Sequence, residues 1–157
     1  MSELLEKARS YEAKKIAATD KESKPLFHIS APAGWINDPN GFSVYNGKIH
    51  LFYQYYPYLR EWGPMHWGHS TTSDMIKWEQ LPCVLAPDEE YDKKGCFSGS
   101  AIEADGKHVL VYTGVTRIKL PDGSEQERQN QCIAFGDGLN YVKHENNPCL
   151  LYTSPSP

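Results

Sequence analysis

Apolar positions change their spacing once along this chain, near residue 25. Before that point Leu4, Leu5, Ala8, Tyr11 and Lys15 fall on one side of a 3.6-residue repeat, with Glu and Lys elsewhere. This predicts a short amphipathic helix over residues 2 to about 18. Residues 19–25, TDKESKP, are polar and end in proline, the composition of a linker. Beyond them, short runs rich in Val, Ile, Phe and Tyr alternate with turn residues. GFSVYNGKIHLFYQYYP sets Asn46-Gly47 between two such runs, and GSAIEADGKHVLVYTG does the same with Asp105-Gly106. Both dipeptides suit a type I′ turn, whose central residues need positive φ, so each stretch predicts a β-hairpin.

The two hairpins repeat in register. Gly41 matches Gly99 and Gly47 matches Gly106. Each hairpin is followed by a further strand, HWGHSTTSD and then NQCIAFGDG. An aromatic-bearing segment running into proline comes next, MIKWEQLP and then LNYVKHENNP. Two units of roughly sixty residues, with about four antiparallel strands each, have the pattern of β-propeller blades. An ordinary meander or sandwich is the alternative, and the two-fold repeat favours blades. The predicted class is therefore all-β with a short helix in front. Propellers close with roughly four to eight blades, and the closing Ser-Pro-Ser-Pro cannot continue a central strand. The expected division is a helix and linker over 1–24, two blades in part over 25–148, and a truncated or foreign tail over 149–157.

Charge and composition narrow the function classes. A net charge of −4 and a pI near 5.8 argue against nucleic acid or an anionic membrane surface as the main partner. No apolar run approaches the roughly 18 residues that cross a bilayer. The N-terminus, MSELLEKARSYEAKK, has no apolar h-region, and a cytoplasmic protein is expected. In that compartment Cys83, Cys96, Cys132 and Cys149, which form no CxxC pair, are expected as free thiols. Ten Tyr, four Trp and five Phe suit either a packed β core or a sugar-binding face.

WINDPNG, residues 35–41, carries the clearest candidate chemistry. Taken locally, Asp38 reads as the carboxylate of an Asx turn beside Asn40-Gly41. On the blade reading, however, the stretch opens the innermost strand of the first unit, where propellers keep their sites. Gln54 ends the next strand with an amide able to donate and accept. Trp62, His66, Trp67 and His69 crowd into EWGPMHWGHS, and Phe97 and Ser98 open the second unit where WINDPNG opens the first. His66 and His69 lack an obvious third ligand, which weighs against zinc. Trp67 is expected in the core.

HISAPAGWINDPNG, LFYQYYP, WGPMHWGHSTTSDMIKWEQLP and CFSGSA, in this order, resemble glycoside hydrolase family 32, the invertases, sucrose-6-phosphate hydrolases and other β-fructosidases. The similarity runs from about Pro25 to about Pro148. It implies the N-terminal blades of a five-bladed β-propeller and a retaining double displacement on a β-fructofuranosyl bond. It makes Asp38 the nucleophile and Trp35, Ile36, Asn37, Gln54, Trp62, Phe97 and Ser98 substrate-binding residues. The substrate is then a small sugar, sucrose or sucrose 6-phosphate, with fructan hydrolysis, fructosyl transfer or sugar binding without catalysis as alternatives; no cofactor and no metal are implied. Retention needs two carboxylates roughly 5–5.5 Å apart, one of them a protonated acid. The family supplies that acid from a Glu-Cys motif and binds sugar with an Arg-Asp-Pro motif, and this sequence contains neither. The 157-residue chain is therefore expected to be inactive alone.

Overall fold

A computed structural model describes residues 1–20, 22, 24, 25 and 27–151. Part of the predicted linker (Lys21, Ser23) and of the predicted tail (Tyr152–Pro157) lies outside the described residues.

Helix α1 (Glu3–Ala18) starts where the sequence offers a cap. The Ser2 hydroxyl accepts from the Leu5 N–H at 3.2 Å, with Glu3 and Glu6 in the first turn. The buried stripe is Leu5, Ala8 and Glu12. Leu4, expected on that face, is 42% exposed. The helix meets the sheets along a narrow line, which takes about one residue per turn.

Eight strands form two antiparallel meanders. The first sheet runs in order β1 (Trp35–Tyr45), β2 (Lys48–Tyr56), β3 (His66–Thr72), β4 (Glu79–Leu85). The second runs β5 (Gly95–Ala104), β6 (Lys107–Lys119), β7 (Glu125–Gly136), β8 (Tyr141–Lys143). Each is the four-stranded unit of a propeller blade. A two-residue strand, β9 (Leu150–Leu151), also pairs with β7. The hairpin turns fall where the dipeptides put them: φ is 49° at Asn46 and 71° at Gly47, and 50° at Asp105 and 71° at Gly106. The strand expected to begin near Asn130 begins at Glu125, paired with Lys119. That extension is polar on both faces, so no hydrophobic alternation announces it.

Phe52, Trp67, Val84 and Leu85 of the first sheet pack against Cys96, Leu110, Tyr112, Cys132, Ala134 and Tyr141 of the second. A smaller cluster sits under the helix, where Leu5 and Ala8 meet Tyr53, Tyr55, Cys83 and Ala86. The four cysteines are free thiols, and Cys83, Cys96 and Cys132 are buried. Among the described residues no helix is long and apolar enough to cross a membrane.

The first strands of the two sheets, β1 and β5, lie against each other. A backbone link fixes the start of β5, with the Cys96 N–H donating to the Met65 carbonyl at 2.8 Å. Side chains from Asn37 to Pro39 and from Ser98 to Ser100 are exposed. These inner strands thus present an open face, while most of the core comes from the strands behind them.

Candidate active site

Two β-bulges build the site. On β1, Ile36 pairs with Tyr55 and Pro39 with Tyr53, so Asn37 and Asp38 together oppose Gln54. On β5, Phe97 pairs with Thr113 and Gly99 with Tyr112, which leaves Ser98 as the inserted residue. A bulge bends its strand and re-aims the side chain it carries. Here the two re-aimed side chains meet: the Ser98 hydroxyl donates to Asp38 Oδ2 at 3.0 Å. Both are exposed, so Asp38 has one oxygen held and a face open to a ligand. Residues 60 positions apart are thereby joined across two sheets.

Neighbouring groups complete the surface. The Trp35 indole Nε1 donates to Asn37 Oδ1 at 2.8 Å, which fixes the amide beside Asp38. Trp62, 58% exposed, sets its ring edge-on to Phe97, with centroids 6.1 Å apart and planes at 86°. An exposed indole against Phe97, the residue before the Ser98 that holds the carboxylate, is the kind of wall against which a sugar ring packs.

Two other predicted site residues sit deeper. Ile36 is partly buried against the cluster beneath the helix. Gln54 is 2% exposed, and its Nε2 donates to the Cys96 carbonyl at 3.0 Å. Trp67 is fully buried, in keeping with its expected place in the core, and its Nε1 donates to the Phe97 carbonyl at 3.2 Å. That contact was not legible in the sequence. The signal for it is the pairing of Gln54 with Trp67, which depends on the loop over 57–65.

His66 and His69 are three residues apart on a strand and therefore face opposite ways. His66 Nδ1 lies 2.9 Å from the Pro64 carbonyl, and burial brings its pKa down to about 4. His69 Nε2 lies 2.9 Å from His50 Nδ1. Among the described residues no group of three His, Cys, Asp or Glu is arranged to hold a metal ion. Asp92, just upstream of Phe97, is fully buried. It accepts from Lys143 Nζ at 2.5 Å and from the Tyr112 hydroxyl at 2.9 Å. Burial raises its pKa and Lys143 opposes the rise. This carboxylate ties the second sheet together and does not open onto the face that carries Asp38.

Comparison with known proteins gives this arrangement its context. Residues 28–156 match the N-terminal domain of the glycosyl hydrolases family 32. A sucrose-6-phosphate hydrolase of Escherichia coli is 48% identical over 120 residues, 76% of this chain and 25% of that protein. A levanase of Bacillus subtilis is 38% identical over 151 residues, 94% of this chain and 22% of that protein. Among solved structures, a mutant of the GH32 β-fructofuranosidase of Bombyx mori in complex with sucrose superposes with a TM-score of 0.82 at 44% identity. That match covers 96% of this chain and 31% of the other. The chain thus spans about a quarter of the length of these curated relatives. With the matching motifs and two blade-like sheets in the same order, the chain belongs to glycosyl hydrolase family 32, and its two sheets are N-terminal blades of that family's β-propeller.

Proposed function

We propose that this chain is the nucleophile-bearing portion of a β-fructofuranosidase that acts on sucrose or sucrose 6-phosphate. The observation that carries the reading is the Asp38–Ser98 contact at 3.0 Å on an exposed face, where two bulges converge. The sucrose complex of the Bombyx mori relative supports a fructoside as substrate.

In this reading the Asp38 carboxylate attacks the anomeric carbon of the fructosyl unit. Its lone pair forms the new C–O bond as the glycosidic C–O bond breaks, and the leaving oxygen takes a proton from a carboxylic acid. Water then attacks the glycosyl-enzyme, giving its proton back to that acid and restoring Asp38. Ser98 holds one carboxylate oxygen so that the other faces the sugar. Asn37, fixed by Trp35, donates to a sugar hydroxyl, and Trp62 and Phe97 wall the cleft against water. The acid comes from the remainder of a longer protein, since this sequence has no Glu-Cys motif. Without a proton donor the rate drops by about 10²- to 10⁴-fold. The levanase relative favours one second reading, a fructan as substrate on the same two carboxylates.

Asp38→Asn in the natural-length gene product tests this. Sucrose hydrolysis should fall by at least about 10³-fold with the fold intact, because amide nitrogen and oxygen cannot replace the nucleophile. The first-formed fructose should keep the β configuration by NMR, and the 157-residue chain should show no turnover. An Asp38→Asn variant within tenfold of the parent, or an inverted first product, would reject the mechanism. Comparing kcat/KM for sucrose, sucrose 6-phosphate and levan decides the substrate.

A further inference from the structure

Gln54 and Trp67 are paired residues on β2 and β3. In an antiparallel pair such residues share a face, and here that face looks onto β5. Each side chain donates one N–H to β5, and the two acceptors are consecutive carbonyls. Gln54 Nε2 takes Cys96 at 3.0 Å and Trp67 Nε1 takes Phe97 at 3.2 Å. Ser98 follows at once as the bulge residue. Past the bulge, Gly99 packs so closely on β6 that a Cβ would lie 2.0 Å from the Val111 carbonyl. No side chain fits there, so the bulge has no room to slip towards β6. Gln54 also stands opposite the Asn37–Asp38 bulge in the register of β1 and β2. One residue pair therefore touches the supports of both re-aimed strands.

We propose that Trp67 and Gln54 are positioning residues, a clamp from the first blade on the Cys96 and Phe97 carbonyls that sets the Ser98 hydroxyl against Asp38. A bulge leaves part of the ladder unpaired, and a buried carbonyl without a donor is costly. The indole supplies a side-chain donor to the Phe97 carbonyl at the edge of the bulge. Without it the Phe97–Ser98 peptide is free to turn towards another donor, and Ser98 turns with it. A residue that acts on a site through its supporting shell moves the reacting group by small distances, which is enough to slow chemistry. The catalytic part of this inference rests on the function proposed above; the geometric part does not.

A double-mutant cycle in the natural-length protein tests the clamp. Trp67→Phe keeps a ring and removes the N–H; Ser98→Ala removes the hydroxyl. Each should lower kcat per folded molecule about tenfold and leave KM within about twofold. The double variant should be no slower than Ser98→Ala, because Trp67 acts through Ser98. A residue that only fills the core would multiply its loss onto that of Ser98→Ala, and this result overturns the proposal. Crystal structures supply the arm that needs no activity. In Trp67→Phe the Ser98 oxygen should lie beyond 3.5 Å of Asp38, outside hydrogen-bond reach; an unchanged contact also overturns the clamp. If Trp67→Phe does not fold, Gln54→Met is judged by the structural test alone, since the family resemblance also makes Gln54 a substrate-binding residue. A parent without turnover on any fructoside removes the proposed function, and the Ser98–Asp38 distance in the variant crystals then decides for or against the clamp by itself.

Discussion

Trp62 exposes more than half of its surface while keeping its ring edge on Phe97. It therefore contributes little to stability, and its removal should change folding by less than about 0.5 kcal/mol, as for other exposed positions. Taking about 40 Å² of apolar sugar and indole surface out of water is worth about 1 kcal/mol, and its loss corresponds to about a fivefold rise in KM. Trp62→Ala in the natural-length protein should raise KM for sucrose by about that factor and leave the unfolding midpoint in place. A large fall in midpoint with an unchanged KM would place Trp62 in the scaffold instead. Asp38 and Asn37 differ from Trp62 in that their geometry depends on strand register. Shifting β1 by one residue would turn Asp38 to the opposite face, so the site is sensitive to changes in the bulge that leave every named side chain intact.

At the scale of elements, α1 closes the outer edge of the first sheet with side chains. Arg9 Nε donates to the Cys83 carbonyl at 2.7 Å, and Glu12 Oε2 accepts from the Cys83 N–H at 3.0 Å. Both outward-facing backbone groups of one edge residue are thus satisfied, which blunts an edge otherwise open to another strand. Arg9 also reaches Asn140 Oδ1 at 2.9 Å and the Leu139 carbonyl, so the helix clasps both sheets. Glu12 is 3% exposed and faces Arg9, Tyr53, Tyr55, Tyr58 and Cys83; burial pushes its pKa up to about 7. Its folded pKa lies above the unfolded value of 4.5. The docking stability is therefore full below about 4.5 and is lost as pH rises through about 7. Glu12→Gln keeps the bond to Cys83 and has no charge to bury. It should raise the unfolding midpoint by roughly 2–6 °C at pH 8 and leave it unchanged at pH 4.5. An equal shift at both pH values would remove the ionisation argument. This helix also shows what a sequence conceals. Its existence and approximate extent were legible, because periodicity is a local signal. Glu12 was not legible as a buried residue, because its partner is a backbone group on a strand seventy residues away. The hairpins at Asn46-Gly47 and Asp105-Gly106 were readable for the same local reason. The repeat brought Ser98 into correspondence with WINDPNG, but the bulges that join Ser98 to Asp38 depend on register between strands and leave no local mark.

At the scale of the molecule, a histidine cluster holds the two sheets together. His50 and His69 come from the first sheet and His108 from the second. His108 Nε2 lies 2.9 Å from the Ser43 hydroxyl of β1, its Nδ1 lies 2.7 Å from the Tyr141 hydroxyl, and its ring stacks on Tyr45 at 4.7 Å. His50 meets His69 at 2.9 Å and stands edge-on to His108 at 4.8 Å. Two imidazoles within one hydrogen bond of each other cannot both carry a proton at low cost in a buried space. Burial lowers all three pKa values, that of His108 to about 4, and each neighbouring His presses His69 down further. Their folded values lie below the unfolded value of 6.5, so the unfolded chain binds more protons as pH falls. The stability these rings supply is full above about 6.5 and drains away between 6.5 and about 4. Glu12 changes in the opposite sense over part of this range, so the two effects separate only in the Glu12→Gln background. There the unfolding midpoint should fall by roughly 5–10 °C between pH 7 and 4.5, and the fluorescence of buried Trp67, packed between the sheets, should report the loosening. Adding His108→Gln should flatten this slope while lowering the midpoint at pH 7, because an amide still reaches one partner and carries no titrating proton. A slope that survives the change would assign the acid lability to the remaining buried imidazoles, His66 among them, and leave His108 with a packing role alone.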